Sequence, residues 1–133
     1  MNSQNNKNKG RIGLSMAINY FTLNNYTVSI PLNDTQWYDL IIEKNGIFQT
    51  VQCKCTSRNK IALRSTGGTK GIVYDNVKNH INLDILFCVD KDNNIFIIPF
   101  KDLYEAKNLN EITLKTTPFK YNQGFQTYKY LIK

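Results

Sequence analysis

The sequence predicts an α/β protein built on one mixed sheet, and three observations carry that prediction. Apolar residues recur at near-helical spacing over residues 9–24. Asn45-Gly46 separates two apolar-rich runs, and this dipeptide tolerates the positive φ angles of a tight hairpin turn. A second pair of apolar runs, 84–89 and 95–99, flanks a polar turn. The pattern alone leaves α+β and α/β open as fold classes.

The bulk properties fit one globular domain. A length of 133 residues leaves room for a core, and a hydrophobic content of 41% argues against disorder. No apolar run approaches membrane-spanning length, and the polar N-terminus lacks the apolar stretch of a secretory signal. We therefore expect a cytoplasmic protein with no membrane association. Three cysteines are an odd number, which argues against a disulfide framework.

The net charge of +7 predicts a polyanionic partner, with nucleic acid the first candidate. The charge is uneven, since the first 33 residues contain Lys7, Lys9 and Arg11 and no acid. Binding through lysine and arginine to phosphates is expected to be sensitive to salt. The candidate DNA-binding residues are Lys9, Arg11, Arg58, Lys60, Arg64 and Lys70.

The elements follow in chain order. Residues 1–8 are asparagine-rich and are predicted to be a disordered polar tail, so that residues 9–133 form the single domain. The first helix covers 9–24 and ends at two asparagines. The remaining predictions are strands over 26–30 and 61–63, a flexible basic loop over 64–71, a helix over 73–82, strands over 84–89 and 95–99, helical turns over 101–107, and strands over 111–115 and 125–132.

The predicted hairpin over 37–55 carries the residues that suggest chemistry. Alternate residues of a strand share a face, so Thr50, Gln52 and Lys54 point one way. The other face is apolar and belongs in a core: Val51, Cys53 and Cys55. If the hairpin brings Asp39 alongside, one carboxylate, one amide oxygen and one ammonium surround a point. Such a set can hold a hard cation such as Mg²⁺.

These residues also carry a resemblance to a known family. Asp39, twelve intervening residues and then Gln52-Cys53-Lys54 resembles the PD-(D/E)xK nuclease signature in its D…QxK variant. The surrounding runs YDLI and VQCK are similar to the small branch typified by group I intron-associated homing endonucleases. The resemblance covers roughly residues 9–100. It implies a restriction-endonuclease-like α-β-β-β-α-β core, to which this chain adds a C-terminal hairpin and strand region.

The same resemblance implies an activity and a cofactor. The chain would be a Mg²⁺-dependent endodeoxyribonuclease that hydrolyses phosphodiester bonds in double-stranded DNA, with Mn²⁺ able to substitute. Asp39, the Gln52 side-chain oxygen and the Cys53 backbone carbonyl would ligate the metal, and Lys54 would act on the attacking water or the phosphoryl group. Because one small domain has one active site, cutting both strands suggests a homodimer or homotetramer.

The chain departs from the family pattern in its first helix. The stretch GLSMA, residues 13–17, contains no acid where the family often offers a glutamate to the metal. Asp34, in the loop before the hairpin, could supply the missing carboxylate or could simply cap that loop. Two other functions therefore stay open: a DNA-binding module with a degenerate nuclease site, and a structure-specific nuclease that resolves DNA junctions.

Zinc is a further alternative, and the spacing of its candidate ligands argues against it. The set would be Cys53, Cys55, Cys88 and His80. A C-x-C pair on a strand is not a usual zinc spacing, and free cysteines are commonly buried packing residues.

Overall fold

Nine strands, two α-helices and one 3-10 helix form the part of the chain that the computed structural model describes, residues 3–33, 36–67, 72–75, 82–106, 109–120 and 124–132. In chain order they are α1 (Ser3–Leu23), β1 (Thr27–Ser29), β2 (Leu40–Lys44), β3 (Ile47–Cys55), β4 (Lys60–Ala62), β5 (Arg64–Gly67), β6 (Ile72–Asp75), β7 (Ile85–Val89), β8 (Ile95–Pro99), α2 (Phe100–Glu105), β9 (Glu111–Thr113) and the 3-10 helix (Thr127–Tyr130).

Five strands form the central sheet in the order β1-β2-β3-β7-β8. The β3–β7 pair is parallel and aligns Gln52 with Leu86 and Lys54 with Cys88, while the other pairs of the sheet are antiparallel. Two smaller antiparallel pairs, β4–β9 and β5–β6, stand outside it. The sheet is therefore mixed, as the sequence predicts, and β3 is its middle strand.

The hairpin between β2 and β3 is confirmed. Asn45 and Gly46 have φ angles of 54° and 80°, the positive values that a two-residue turn of this kind requires. The Gly46 N–H donates to the Glu43 carboxylate at 3.0 Å, which closes the turn. The turn fixes the register of β2 on β3, with Leu40 opposite Val51.

The two faces of the sheet bury different cores. Helix α1 covers one face, where Ala17 and Phe21 pack with Val51 and Phe87. On the other face Leu86, Cys88, Phe96 and Ile98 pack under residues of β4, β9 and α2. The alternation in β3 predicts this division, because the side of Val51 is the side of α1. Gln52 and Lys54 belong to the second face, which is partly covered rather than fully solvated.

Two helix predictions need correction. The first helix begins at Ser3, so residues 3–8 are helical and not a disordered tail. Once packing fixes the middle of α1, each further residue adds a hydrogen bond without a new nucleation cost. The predicted helix over 73–82 is wrong at its start, because Ile72–Asp75 is strand β6, paired with β5. A run this short that contains β-branched residues fits the spacing of a helix and that of a strand equally well. Pairing with β5 makes it a strand. Residues 76–81 lie outside the described residues.

Two strand and loop predictions also need correction. The basic loop predicted over 64–71 begins as strand β5, since residues 64–67 pair with β6, and residues 68–71 lie outside the described part. The predicted last strand over 125–132 is a 3-10 helix followed by one bridge from Leu131 to Phe96. Its weak alternation reflects Thr127 turning inward, where its hydroxyl donates to the Thr113 carbonyl at 2.7 Å. The predictions for 84–89, 95–99 and 101–107 match β7, β8 and α2 closely.

Helix α1 approaches the middle strand most closely at a glycine. A Cβ atom added to Gly13 would lie 3.4 Å from the Cys55 Cβ, so the helix backbone rests directly on β3 beside Lys54. Gly10, one turn earlier, has no neighbour within 4 Å of such an atom. None of the helices in the described ranges has the length and apolar character needed to cross a membrane.

These two glycines make a matched pair for a stability test. Gly13→Leu is expected to destabilise the protein by about 1–3 kcal/mol, because the added atoms must push α1 away from β3. Gly10→Leu is expected to be neutral or stabilising by up to about 1 kcal/mol, because leucine favours a helix more than glycine does. Urea unfolding of both variants measures the difference. Equal stability of the two would contradict the close contact.

Candidate active site

Asp39 lies at a break in the β2–β3 ladder. Leu40 is the ladder partner of Val51, yet the N–H of Asp39 also donates to the Val51 carbonyl, at 2.8 Å. Two consecutive residues thus oppose one residue of β3, which is the arrangement of a β-bulge. A bulge turns its side chain away from the regular ladder direction. Here the Asp39 carboxylate is aimed at the next backbone group of β3.

That backbone group belongs to Cys53. Strand β3 has nine residues and β2 has five, so the end of β3 extends past its partner on that side. The Cys53 N–H points to this open side and donates to the Asp39 carboxylate at 2.7 Å. In a strand, the N–H and C=O of one residue point to the same edge. The Cys53 carbonyl therefore also faces the side of Asp39, beyond the last ladder pair of β2 with β3.

Gln52 is the buried polar residue of the site. Its residue exposure is only 8%, and its amide nitrogen donates to the Trp37 carbonyl at 3.2 Å. Trp37 is two residues before Asp39, so the Gln52 side chain leans toward the same segment that carries the carboxylate. The bulge and this hydrogen bond together tie residues 37–39 to β3.

Lys54 completes the group on the same face of β3. It is partly exposed and stands in register with Cys88 on β7. Within the described residues the only ion pair closer than 4.0 Å joins Lys60 and Glu111, so the Lys54 ammonium is not locked onto Asp39. Its charge nevertheless acts on Asp39 and lowers the pKa of that carboxyl. The ammonium is thus near the carboxylate and available to a substrate.

The Asp39 carboxyl has a raised pKa overall. Burial of the group against β3 raises the pKa most, while the hydrogen bond from the Cys53 N–H and the charge of Lys54 lower it. The residue as a whole is exposed, so the burial is that of the inward-turned carboxyl. A positive charge placed at this carboxylate would favour its ionised form.

The three cysteines are poor candidates for thiolate chemistry. Burial raises the pKa of Cys53 to about 12 and raises the pKa values of Cys55 and Cys88 as well. Cys53 and Cys55 lie on the α1 side of β3, while Cys88 packs in the core of the opposite face. A zinc site requires its ligands to lie together, and these cysteines lie on opposite faces of the sheet. His80, its fourth candidate ligand, lies outside the described residues.

The oxygen atoms of the site fit a hard divalent cation. A carboxylate from Asp39, an amide oxygen from Gln52 and the carbonyl of Cys53 are the donor types that Mg²⁺ accepts. No three His, Cys, Asp or Glu side chains cluster anywhere in the described ranges. Among the described residues, a cation bound here would therefore use neutral oxygens beside the Asp39 carboxylate. Asp34, the other candidate carboxylate, lies outside the described residues.

The predicted DNA-binding residues lie in several parts of the fold. Lys9 and Arg58 flank the end of β3, because the Lys9 ammonium donates to the Ser57 hydroxyl at 2.8 Å. Arg11 is exposed on α1, and Lys60 pairs with Glu111 at 3.8 Å with both side chains more than half exposed. The backbone of Arg64 lies in β5, and Lys70 lies outside the described residues.

Sequence patterns missed two supports of the site. One is the backbone carbonyl of Trp37, which the sequence does not predict because every residue has such a group. The other is Asp84, whose carboxylate accepts a hydrogen bond from the Thr50 N–H at 2.8 Å and whose own N–H donates to the Thr50 hydroxyl at 3.0 Å. The Thr50 hydroxyl donates its one proton to the Asn82 carbonyl. These bonds hold the start of β7 against β3, two residues before Gln52. The sequence feature that could have identified Asp84 is its position directly before a predicted buried strand.

Comparisons with known proteins identify the fold that carries these residues. A family model described as PD-(D/E)XK endonuclease matches residues 4–129. The solved structure of a bacterial homing endonuclease, I-Ssp6803I, is similar with a TM-score of 0.76 and 21% sequence identity, covering 94% of this chain and 87% of that one. No curated protein matches the chain at a significant level. The restriction-endonuclease-like fold predicted from the sequence is thereby confirmed.

The raised pKa of Asp39 leads to a test of stability against pH. A folded-state pKa above the unfolded value contributes stability that is complete below the unfolded pKa and is lost as pH rises through the folded pKa. Asp39→Asn keeps an oxygen for the Cys53 N–H and removes that loss. In EDTA the variant is expected to melt above the wild type at pH 7 and to converge with it near pH 4.

Asp92→Asn is the matched control, since Asp92 is exposed on the β7–β8 turn. Its melting temperature should follow the wild type across this pH range. An Asp39→Asn variant that is less stable at pH 7, or offset equally at every pH, would contradict the burial of the carboxyl.

Proposed function

Because the chain belongs to the PD-(D/E)XK endonuclease family, we propose that it is a metal-dependent endonuclease that hydrolyses phosphodiester bonds in double-stranded DNA. The observation that carries this proposal is the grouping of Asp39, Gln52 and Lys54 around the open edge of β3, with the backbone of Cys53 between them. The fold likeness to a homing endonuclease supports a role of that kind.

Three oxygens are proposed to hold the metal: the Asp39 carboxylate, the Gln52 amide oxygen and the Cys53 carbonyl. Mg²⁺ is the proposed ion, and Mn²⁺, which accepts the same donors, is expected to replace it. When bound, the ion lowers the pKa of a coordinated water and neutralises charge on the phosphate. The Cys53 N–H keeps the Asp39 carboxylate in place, so the ligand is oriented before any substrate arrives.

Lys54 is proposed to act on the reacting atoms directly. Its ammonium can donate hydrogen bonds both to an attacking water and to a phosphoryl oxygen. In the reaction the water oxygen bonds to phosphorus, the bond from phosphorus to the leaving sugar oxygen breaks, and negative charge builds on the phosphoryl oxygens. A fixed positive group next to that charge stabilises the transition state more than the ground state.

The proposed DNA surface surrounds the end of β3. Lys9 and Arg58 lie at that end, since Lys9 bonds to Ser57. Arg11 extends the basic surface along α1, and the other proposed phosphate contacts are Lys60, Arg64 and Lys70. A net charge of +7 supports binding to a polyanion. Affinity for DNA should fall steeply as salt rises.

Cleavage of supercoiled and linear DNA tests the proposed function. With Mg²⁺ or Mn²⁺ the wild type is expected to cut, and Asp39→Ala and Lys54→Ala are each expected to lose at least about 100-fold in rate. Asp39→Ala removes a metal ligand, and Lys54→Ala removes the positive charge. Lys101→Ala is the control, because this exposed lysine lies on α2 and belongs neither to the proposed metal site nor to the proposed DNA contacts.

The alternatives predict different results in the same assay. A wild type that binds DNA equally well with and without Mg²⁺ and never nicks it would be a DNA-binding module with a degenerate site. The absence of acid throughout α1 gives that alternative its support. Preferential cutting of four-way over linear DNA would indicate a junction-resolving nuclease instead.

We also propose that the active form is a homodimer or homotetramer. One domain carries one group of active-site residues, and cutting both strands of a duplex at one place requires two. Light scattering in the presence of duplex DNA should give, after subtraction of the DNA mass, two or four times the mass of one chain. A single-chain mass on DNA that is cut on both strands would contradict this.

A further inference from the structure

The amide of Gln52 has a defined direction. Its nitrogen lies 3.2 Å from the Trp37 carbonyl oxygen, and the residue is 8% exposed. A backbone carbonyl can only accept a hydrogen bond, so the amide must present its NH₂ end to it. The amide oxygen of Gln52 therefore points away from the Trp37 carbonyl.

The oxygen of Gln52 has no donor among the described residues, where the side chain makes its one hydrogen bond through nitrogen. It is not a sealed acceptor either, because the one buried side-chain polar atom without a partner in those residues is Nε2 of Gln126. A polar oxygen that is neither bonded internally nor sealed from solvent is open to a ligand.

We propose that the Trp37 carbonyl is a positioning group that turns the Gln52 oxygen toward the metal and selects an amide over a carboxylate at this place. The inference rests on the proposed function for the identity of the ligand. The hydrogen bond spans fifteen residues and fixes one end of the amide on the segment that leads into Asp39. Residues 37–39 thus hold the Gln52 amide through the Trp37 carbonyl and carry the Asp39 carboxylate, which the Cys53 N–H holds in turn.

The polarity of the contact explains why a carboxylate does not suit this position. A glutamate at this place would set a charged oxygen about 3 Å from the carbonyl oxygen, with no proton between them. Two acceptors facing each other in a mostly buried place cost more than a lost hydrogen bond. The side chain would have to rotate, and its other oxygen would leave the direction that the amide oxygen holds. The extra negative charge would therefore bring no gain in catalysis.

Magnetic resonance of the Gln52 side-chain amide gives the first test. In the metal-free wild type its NH₂ protons should exchange with water at least about tenfold more slowly than those of Gln49, which lies half-buried on the other face of β3. Adding Mg²⁺ should shift the Gln52 side-chain carbonyl carbon and leave the protection of the NH₂ protons unchanged. Exchange as fast as that of Gln49, or protection lost on adding Mg²⁺, would overturn the inference.

The variant Gln52→Glu gives the second test, with Gln49→Glu as the same chemical change on the other face of β3. At pH 8, Gln52→Glu is expected to lower the melting temperature by about 4 °C and the cleavage rate by at least about tenfold. Gln49→Glu should stay near the wild type in both. A Gln52→Glu protein that melts normally and cuts as fast as the wild type, or faster, would overturn selection of the amide.

The two proposals fail in different ways. A wild type that cleaves DNA with Mg²⁺ while the Gln52 carbonyl carbon does not respond to the ion overturns only the positioning role. A wild type that shows the protected amide and never cleaves DNA contradicts the proposed function. The amide measurement uses the unmodified chain, so it decides the matter even if Gln52→Glu fails to fold.

Discussion

The unequal length of β2 and β3 is the constraint on which the site depends. Beyond Val51 the central strand continues alone on the β2 side, and a backbone N–H left without a partner there would be costly. Asp39 removes that cost by accepting from Cys53, and the bulge before Leu40 gives its side chain the necessary direction. The Cys53 carbonyl faces the same edge, beyond the last ladder pair of β2 with β3. Satisfying one donor of the fold therefore creates the oxygen-rich edge that a metal-dependent nuclease would use.

Local patterns predicted what local forces decide. Asn45-Gly46 predicted the hairpin because few other residues accept the positive φ angles of its turn. The alternation of residues along β3 predicted its two faces because each face packs on a different core. The sequence patterns were weaker for β6 and for residues 127–130, where the residue types fit either a helix or a strand. There, pairing with β5 and the inward hydrogen bond of Thr127 decided the outcome, and neither can be read from a short window.

The sequence suggests the residue types of the candidate active site, whereas it does not predict their arrangement. The spacing from Asp39 to Gln52 and Lys54 indicates a carboxylate, an amide and a lysine on one hairpin. It says nothing of a backbone carbonyl that faces the amide, because a carbonyl is common to every residue. The bulge at Asp39 could not be predicted either, because no glycine or proline marks its position in the sequence. In the sequence, the neutral Gln52 suggested a degenerate site. In the fold, its amide has a defined hydrogen-bond partner, the Trp37 carbonyl.

A site with one carboxylate and two neutral oxygens has a specific consequence for how it would work. Mg²⁺ is commonly held by one or two carboxylates together with phosphate oxygens of the substrate. With no acid in α1 to add charge, the protein alone offers the ion little attraction, and burial already disfavours the ionised form of Asp39. The phosphates of bound DNA would then supply much of the missing negative charge. On this argument, metal and DNA would bind cooperatively, and the active site would be complete only where its substrate is present.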